Sequence, residues 1–352
     1  MRRLFPIWLP TTAPIRHCPD DFTIRKNYAV ALRAFARYEE ALFHFNVACA
    51  LEPGNLDAQW ERSSVYLQLG RFKEGWEAYD TRCELEWMKC LHLNHLRWDG
   101  KDFQDKTVLL CAEQGYGDTI LCNRYIPLLK ERGGRVVLVC EKSLHRLFQS
   151  IRGVDQIVEP GIINESFDYH VSIMSLPEIF ETDLHSIPPI PDLYVPEQAP
   201  PAAQRLLDLA ADRYRVGIVW SGRTEFKQNY KRAVSVERFL PLARISGVQL
   251  YSLQKGPCEQ ELAVAGAEEL VFELGPHLND LADTASVLKQ LDLVIMTDSS
   301  VAHLVGPLGR PVWNLLPYHA YWLYLSGRDD CPWYPSMTLI RQLEPGRLGY
   351  GV

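Results

Sequence analysis

From residue 107 onward, short apolar runs alternate with stretches of helical periodicity. Helices are expected at 119–132 and 142–151. The apolar runs predict four strands, at 107–111, 135–140, 156–158 and 169–173. Strands that alternate with helices in this way form parallel sheets through βαβ crossovers. This part of the chain is therefore predicted to be an α/β lobe.

The same alternation resumes after residue 214. Strands are predicted at 215–220, 248–253, 293–296 and 311–316, with helices at 236–244, 281–290 and 301–308. The segment 187–201 between the two series is dense in proline, which continues neither a helix nor a central strand. The pattern thus predicts two α/β lobes that flank a cleft. In such sheets ligands bind beyond the carboxyl ends of the strands, so we expect the functional residues in the loops that follow the strands.

Upstream of these lobes, two segments repeat with an offset of 34 residues. Residues 31–53 and 65–86 each predict a helix, a short turn and a second helix, with small residues where two helices approach closely. The pair resembles two tetratricopeptide repeats. Two copies are fewer than the three or so that a free-standing solenoid needs to bury its faces. We therefore expect them to lean on a neighbouring domain.

Composition narrows the class of partner. The 352 residues are 47% hydrophobic and carry a net charge of −7, so a folded protein without a positive field for nucleic acid is expected. None of the nine cysteines forms a CxxC pair, which is typical of a reducing compartment. Pro6 and Pro10 interrupt the apolar stretch at the start, which is too short for a signal sequence or a membrane span. A cytoplasmic location is predicted.

The loop after the first predicted strand, AEQGYGDTI at 112–120, carries two glycines and a carboxylate. Gly115 and Gly117 supply two glycines of the G-x-G-x-x-G dinucleotide fingerprint, but Ile120 takes the place of the third. Asp118 stands at the predicted helix start, where its charge would repel a pyrophosphate. Two interpretations stay open on these residues alone. Asp118 is either a base that takes a proton from a substrate hydroxyl or an N-cap without chemistry.

A second polar loop follows the predicted strand 293–296. Asp298, Ser299 and Ser300 stand at the start of the next predicted helix, where backbone N–H groups and hydroxyls can bind a phosphate. His303 comes about one helical turn later and can face the same ligand. The alternative is structural: Asp298 and Ser299 cap the helix, and His303 is a buried histidine.

Basic residues follow other strands of the second lobe. Lys231 and Arg232 come after the loop that contains Trp220 and Gly222, and Lys255 follows the next predicted strand. Cations of this kind stabilise a diphosphate leaving group. The sequence has no DxD pair, HExxH or Walker motif. Transfer from a nucleoside diphosphate is therefore expected to proceed without a metal ion or other cofactor.

Several stretches resemble bacterial tetratricopeptide-repeat glycosyltransferases, which are related to lipopolysaccharide heptosyltransferases and more distantly to O-linked N-acetylglucosamine transferases. They are RWDGKDF (97–103), AEQGYGDTILCNRYIPLLKERGGRVVLV (112–139), DYHVSIMSLP (168–177), VGIVWSGR (216–223), SLQKG (252–256), LADTASVLKQLDLVIMTDSSVAHLVGPLGRPVWNLLP (281–317) and PWYP (332–335). The resemblance implies a GT-B fold, a pair of Rossmann-type α/β lobes preceded by a short all-α repeat segment. The implied domains are an N-terminal extension (1–26), the repeats (27–96), an acceptor-side lobe with the Pro-rich linker (97–200) and a nucleotide-sugar lobe (201–352).

The resemblance also implies a role for each candidate residue. Asp118 would be the base that activates an acceptor hydroxyl in an inverting displacement. The acceptor-side loop would contain Glu113, Gln114, Gly115 and Gly117. Contacts with the donor and its phosphates would come from Trp220, Gly222, Lys231, Arg232, Lys255, Asp298, Ser299, Ser300 and His303.

Three hypotheses of different classes follow. The first is a glycosyltransferase that uses a nucleoside-diphosphate sugar and a glycan, a lipid-linked saccharide or a protein as acceptor. The second is an inactive nucleotide-binding relative or a scaffold whose repeats recruit a protein partner. The third is a dinucleotide oxidoreductase built on Gly115 and Gly117. Loss of sugar transfer with retained nucleotide binding in Asp118→Ala would separate the first hypothesis from the second, and selective binding of NAD would favour the third.

Overall fold

The computed structural model describes residues 13–85, 96–161, 166–226 and 228–344, together with the backbone of 347–348. The described chain divides into two compact units. One is helical and contains the residues up to 85 together with Tyr318–Gly327. The other is the α/β unit, which contains the sheets of both predicted lobes. Tyr318–Gly327 thus packs in the helical unit, although in sequence it lies within the predicted 201–352 lobe.

The helical unit is built from helical hairpins. Its helices are α1 (Ala13–His17), α2 (Phe22–Ala34), α3 (Tyr38–Leu51), α4 (Leu56–Gln68) and α5 (Phe72–Tyr79). Helix α2 packs on α3, and α4 packs on α5. The caps repeat as well, because Asp21 and Asn55 each accept a hydrogen bond from a backbone N–H of the first turn. Helix α2 therefore begins inside the predicted 1–26 extension.

The turn inside each hairpin repeats at the same period of 34 residues. Ala36 has φ of 53° and Gly70 has φ of 74°, both in the left-handed region. Beyond these residues, the Arg37 N–H donates to the Leu32 carbonyl, and the Arg71 N–H donates to the Tyr66 carbonyl, both at 2.9 Å. The turns of the two hairpins thus share one backbone conformation, at the 34-residue period seen in the sequence.

The segment Tyr318–Gly327 covers one side of these hairpins. The Trp322 ring packs edge-on against Trp76, with 5.0 Å between the ring centroids. The Ser326 N–H donates to the carbonyl of Gln68 at 2.9 Å. Buried aromatic rings contribute several kcal/mol each to a core. The segment therefore supplies apolar cover that two hairpins alone lack.

The first sheet of the α/β unit contains five parallel strands. They are β1 (Leu96–Arg97), β2 (Thr107–Cys111), β3 (Arg135–Val139), β4 (Gln156–Val158) and β5 (Tyr169–Ser172), in the order β1-β5-β2-β3-β4. Helices α6 (Tyr116–Cys122), α7 (Ile126–Glu131), α8 (His145–Phe148) and α9 (Leu176–Ile179) lie between or after these strands. Strands β2 and β3 are apolar throughout their centres because both faces of a parallel sheet are covered.

The second sheet follows α10 (Pro201–Asp208). Its elements are β6 (Tyr214–Val219), β7 (Val248–Ser252), α11 (Glu261–Val264), β8 (Val271–Glu273), α12 (Leu281–Leu288), β9 (Leu293–Thr297), α13 (Ser300–Val305), β10 (Val312–Leu316), β11 (Met337–Glu344) and β12 (Arg347–Leu348). The order is β12-β11-β10-β9-β6-β7-β8, and all pairs are parallel except β11 with β12. From β8 to β11 this is the 3-2-1-4-5-6 order of the Rossmann fold.

Some predicted elements differ from those in the structure. The predicted helix 119–132 is divided by a 3₁₀ turn at Asn123–Tyr125, and α7 begins beside Pro127, which has no N–H for the preceding turn. The predicted helix 236–244 is wrong: the segment forms two 3₁₀ turns, and Pro241 cannot donate the hydrogen bond that would join them. Strands β1, β8 and β11 were not predicted.

Candidate functional site

Strand order locates the candidate site. In the first sheet the order reverses between β2 and β5, and in the second it reverses between β6 and β9. The carboxyl ends of strands at such a switch point open a crevice in which α/β proteins bind their ligands. The loops after β2 and β6 are those in which the sequence placed the candidate residues. The loop after β9 carries the Asp298 cluster.

The loop after β2 leads into α6 and contains Asp118. The half-buried Asp118 carboxylate accepts a hydrogen bond from the Gly115 N–H at 3.1 Å, as in a capping box. Gly115 is the N-cap residue and Asp118 is the third residue of the helix, so the interpretation of Asp118 as the N-cap is wrong, and its role as a base stays a prediction. In the same loop, the Ser172 hydroxyl at the end of β5 donates to the carboxylate of Glu113. The two loops of the first switch point are thereby joined.

Gln114 adopts an unusual backbone conformation between these groups. Its φ is 63°, in the left-handed region, and its side chain is exposed. A non-glycine residue in this region costs about 1–2 kcal/mol. Such strain occurs disproportionately at binding and catalytic sites, which agrees with the predicted acceptor-side position of this loop.

The loop after β6 is held by Gln254, which sequence reasoning missed. The buried Gln254 side chain accepts hydrogen bonds from the N–H groups of Trp220 and Ser221, at 3.1 and 3.0 Å. It also donates to the Ser221 carbonyl at 3.1 Å. The residue precedes Lys255 in SLQKG, so its position directly after a strand was the signal that could have identified it.

Trp220 and Gly222 occupy different environments. The Trp220 indole is buried in the core beneath the sheet and donates to the Glu261 carboxylate at 2.9 Å. The Trp220 backbone is engaged as well, because its N–H donates to Gln254 and its carbonyl accepts from the Val234 N–H at 2.9 Å, so the predicted ligand contact of Trp220 stays a prediction. Gly222 lies against the Arg232 guanidinium, since a Cβ at this position would come within 2.4 Å of Arg232 Nη2. A side chain at this position would displace the guanidinium from its present place.

Arg232 connects the loops after β6 and β9. Its Nε donates to Asn229 Oδ1 at 3.1 Å, and its Nη1 lies 3.7 Å from Asp298 Oδ2. Asn229 also accepts a hydrogen bond from the Gly222 N–H at 3.2 Å. Sequence reasoning missed Asn229, which orders both the loop and the guanidinium.

Lys231 is exposed and donates to Gln228 Oε1 at 3.2 Å.

The Asp298 cluster opens helix α13. Ser299 is the N-cap residue, yet its side chain makes no capping hydrogen bond. Among the residues that the structure describes, no partner satisfies its buried hydroxyl. Ser300 is the first residue of the helix. Capping by the Ser299 side chain therefore does not explain this serine, whereas a ligand oxygen at the switch point would satisfy it.

Lys255 is engaged elsewhere in this structure. Its ammonium donates to the carbonyls of Gly275 and Leu278, at 2.8 and 2.9 Å. A phosphate would have to compete with these two carbonyls. The predicted phosphate contact of Lys255 stays a prediction.

The two loop systems meet through helices α6 and α13, which pack on each other. Gly117 lies against His303 in this contact: a Cβ at Gly117 would lie 2.7 Å from His303 Cδ2 and 3.0 Å from Nε2. The imidazole thus lies next to the helical turn that carries Asp118. Elsewhere the lobes are joined by Arg146, whose guanidinium lies 2.7 Å from Asp280 and 2.9 Å from Asp283.

Burial controls the charge of His303. Desolvation lowers the pKa of its imidazole to about 4, helped by the positive charges of Arg124 and Arg232 and opposed by Asp298. The ring is therefore neutral at pH 7. A neutral imidazole has one N–H, so it can donate one hydrogen bond without carrying charge.

Within the described ranges, no three His, Cys, Asp or Glu side chains are gathered as a metal site would require. The predicted independence from metal ions is a statement about the reaction and stays a prediction. No helix in the described part of the chain is long and apolar enough to cross a membrane.

Comparison with known proteins gives the following relatives. No family model matches the chain. Protein FlbA of Caulobacter vibrioides is 30% identical over 342 residues, a match that covers 87% of this chain and 56% of FlbA. The chain thus spans little more than half the length of this curated relative.

Two solved structures are similar in part. A family 9 glycosyl transferase from Veillonella parvula has a TM-score of 0.49 and 13% identity, covering 69% of this chain and 89% of its own. The ADP-heptose lipopolysaccharide heptosyltransferase II of E. coli has a TM-score of 0.48 and 12% identity, covering 66% of this chain and 90% of its own. Likeness at this level does not assign the chain to either family.

Proposed function

We propose that this protein is a metal-independent, inverting glycosyltransferase that moves a sugar from a nucleoside-diphosphate sugar to an acceptor hydroxyl. In this proposal the two sheets are a GT-B pair of lobes, and the helical hairpins are tetratricopeptide repeats. The observation that carries the proposal is the contact of Gly117 with His303. It supports the proposal because helix α6, which carries Asp118, packs on helix α13, which the Asp298 cluster precedes.

The donor side needs positive charge and hydrogen-bond donors for a diphosphate. Arg232 supplies a guanidinium that is largely buried, and Asp298 and Asn229 fix its orientation. A guanidinium matches two phosphate oxygens at once, and a partly desolvated site strengthens this attraction. The Ser299 hydroxyl adds a donor for which the described residues hold no other acceptor. These groups would stabilise the charge that develops on the departing diphosphate.

The acceptor side needs a base within reach of a hydroxyl. In the proposed step the acceptor oxygen gives its proton to Asp118 and forms a bond to the anomeric carbon. The bond from that carbon to the diphosphate breaks on the opposite face, and the nucleoside diphosphate leaves with the electron pair. One displacement of this kind inverts the anomeric configuration. General base catalysis by a positioned carboxylate contributes about 10²–10⁴-fold to such a rate.

The proposal extends to partners and location. The acceptor would be a glycan, a lipid-linked saccharide or a protein side chain, and the helical hairpins would recruit a protein that carries or presents it. The reaction would take place in the cytoplasm, where sugar nucleotides are available.

A nucleotide-binding scaffold without catalysis is the second candidate. Two observations favour it: the Asp118 carboxylate accepts a hydrogen bond from the N–H of the N-cap residue Gly115, which stabilises the helix start, and two carbonyls hold Lys255. A scaffold would keep the nucleotide site while Asp118 served only the helix.

Isothermal titration calorimetry with ADP, UDP and GDP in EDTA tests the donor site. We expect at least one diphosphate to bind and Arg232→Ala to weaken that binding at least tenfold, about 1.4 kcal/mol or more. The exposed Arg238 belongs to the following turn and provides the matched control Arg238→Ala. Absence of binding by all three diphosphates, or selective binding of NAD, would refute the proposed function.

A further inference from the structure

Tyr334 lies behind His303 in the α/β unit. The Tyr334 hydroxyl is 3.2 Å from His303 Nδ1, and the two rings meet edge-to-face with their centroids 5.7 Å apart. Both side chains are buried. Gly306 makes this packing possible, because a Cβ there would lie 2.4 Å from two atoms of the Tyr334 ring. Gly117 and Gly306 thus leave room on either side of one tyrosine–histidine pair.

The direction of the hydrogen bond follows from the surroundings of the hydroxyl. Burial raises the pKa of Tyr334 far above its ordinary value, so the phenol keeps its proton. The buried Arg124 guanidinium faces the Tyr334 ring at 5.5 Å. Arginine has no acceptor, so it cannot take the phenolic hydrogen. Within the described chain, His303 Nδ1 is the acceptor in reach of that hydrogen.

Leaving the phenolic hydrogen without an acceptor in a buried site would cost about 1–3 kcal/mol. Tyr334 therefore donates to Nδ1, and Nδ1 is the unprotonated nitrogen of the neutral ring. The single N–H of the imidazole is then on Nε2. This nitrogen lies at the edge of the ring next to Gly117.

Arg124 is itself fixed. It donates to the carbonyls of Leu121 at 2.9 Å, Pro188 at 3.2 Å and Trp333 at 3.3 Å. The guanidinium thus connects the helix that follows the Asp118 turn with the segment that carries Tyr334. Three backbone carbonyls thus fix the guanidinium in its position over the Tyr334 ring.

We propose that Tyr334 is a positioning residue that holds His303 in the Nε2–H tautomer, as a neutral donor to the sugar-diphosphate group at the contact of α6 and α13. The proposal rests on the proposed function for the identity of this ligand. It assigns no proton transfer to His303. The other charged groups that face the imidazole are Asp298, Arg232 and Arg124.

The tautomer can be measured without any activity. Protein labelled with ¹⁵N-histidine is studied by long-range ¹H–¹⁵N correlation at pH 7, and His303→Gln identifies the signals of His303. We expect a protonated Nε2 and an unprotonated Nδ1 in the wild type, and a loss of this preference in Tyr334→Phe. An Nδ1–H tautomer in the wild type, or an unchanged pattern in Tyr334→Phe, would overturn the proposal.

A matched control separates this effect from loss of a buried hydroxyl in general. Tyr125 is also buried and donates to Thr182 Oγ1 at 2.8 Å in the first lobe. Tyr125→Phe should leave the His303 signals unchanged. Both phenylalanine variants keep their rings, and thermal unfolding shows whether each is folded. If both variants alter the tautomer equally, the effect is not specific to Tyr334 and the proposal fails.

Function provides the second readout. A glutamine amide can stand in for the Nε2–H donor without help from Tyr334. We therefore expect Tyr334→Phe to lower kcat about tenfold with KM nearly unchanged in the wild type, and to have no further effect in His303→Gln. Additive losses would contradict the positioning role. Failure of the wild type to turn over any sugar nucleotide would instead count against the proposed function, and the tautomer measurement would still decide the role of Tyr334.

Discussion

The packing of Gly117 against His303 makes a direct prediction for Gly117→Ala. The new methyl group would start 2.7 Å from His303 Cδ2 and 3.0 Å from Nε2, closer than side-chain atoms normally approach. Gly117 is buried at the second position of α6, so the imidazole has to move. The substitution therefore separates the turn of Asp118 from the cluster of Asp298.

The magnitude follows from two opposing effects. Alanine gains up to about 1 kcal/mol over glycine in a helix. Insertion of a methyl group into a packed site costs about 1–3 kcal/mol. We expect a net loss of about 0–2 kcal/mol in the free energy of unfolding. In a His303→Ala background the clash disappears and the helix gain remains, so the coupling between the two sites should be about 1–3 kcal/mol.

Urea unfolding of the wild type, both single variants and the double variant gives this coupling energy. Gly54→Ala is the control: a Cβ at Gly54 meets no atom within 4 Å and its φ is not in the left-handed region, so this variant should be as stable as the wild type or slightly more so. A coupling energy near zero would refute the close packing of α6 on α13. The proposed site would then lack the contact on which it depends.

Three further predictions test the repeats, the donor loop and the histidine. Both hairpin turns need a residue with left-handed backbone angles. Gly70→Ala should therefore lower the free energy of unfolding by about 1 kcal/mol, whereas Ala36→Gly should change it little or raise it. Equal effects of the two substitutions in denaturant unfolding would contradict the shared turn. Gln254→Leu should lower the free energy of unfolding by about 2–4 kcal/mol, because it leaves the N–H groups of the loop after β6 without an acceptor. It should also weaken diphosphate binding in calorimetry. An unaltered affinity would show that this loop does not form the donor site. The pKa of His303 falls from 6.5 to about 4 on folding, so the unfolded state binds more protons than the folded state between these pH values. About 3 kcal/mol of the free energy of unfolding should therefore be lost as the pH falls from 6.5 to 4. His303→Gln should remove this part of the pH dependence, and a pH profile of unfolding that is the same in wild type and variant would contradict the neutral, buried ring.

Strands whose centres are apolar on both faces are among those that the sequence predicted well. TVLLC at β2 and RVVLV at β3 are of this kind, and their bounds agree with the prediction within one residue. Strand β8 has only three residues and includes Glu273, so it contains no apolar run from which it could be predicted. The 34-residue period located both hairpins because it is a local pattern.

The sequence patterns could not predict contacts between segments that are distant in the chain. Strand order places the loops after β6 and β9 side by side, and nothing local encodes that order. The packing of His303 between Gly117 and Tyr334 depends on three segments far apart in the chain. Sequence reasoning identified Gly117 and His303 as separate candidates, and it could not show that they touch.

The central claim is that Asp118 acts as the base. The rate at which the protein releases nucleoside diphosphate from sugar nucleotides tests this claim most directly. The wild type, Asp118→Asn and the control Asp102→Asn are incubated in EDTA with ADP-, UDP- and GDP-sugars and a bacterial extract as the acceptor source. Asp102 is an exposed carboxylate of the same lobe, 3.9 Å from Arg132. We expect turnover of one donor by the wild type and the control, and a loss of about 10²-fold or more in Asp118→Asn with diphosphate affinity retained. Full turnover by Asp118→Asn would contradict the assignment of the base, and turnover of no donor by the wild type would contradict the proposed transfer.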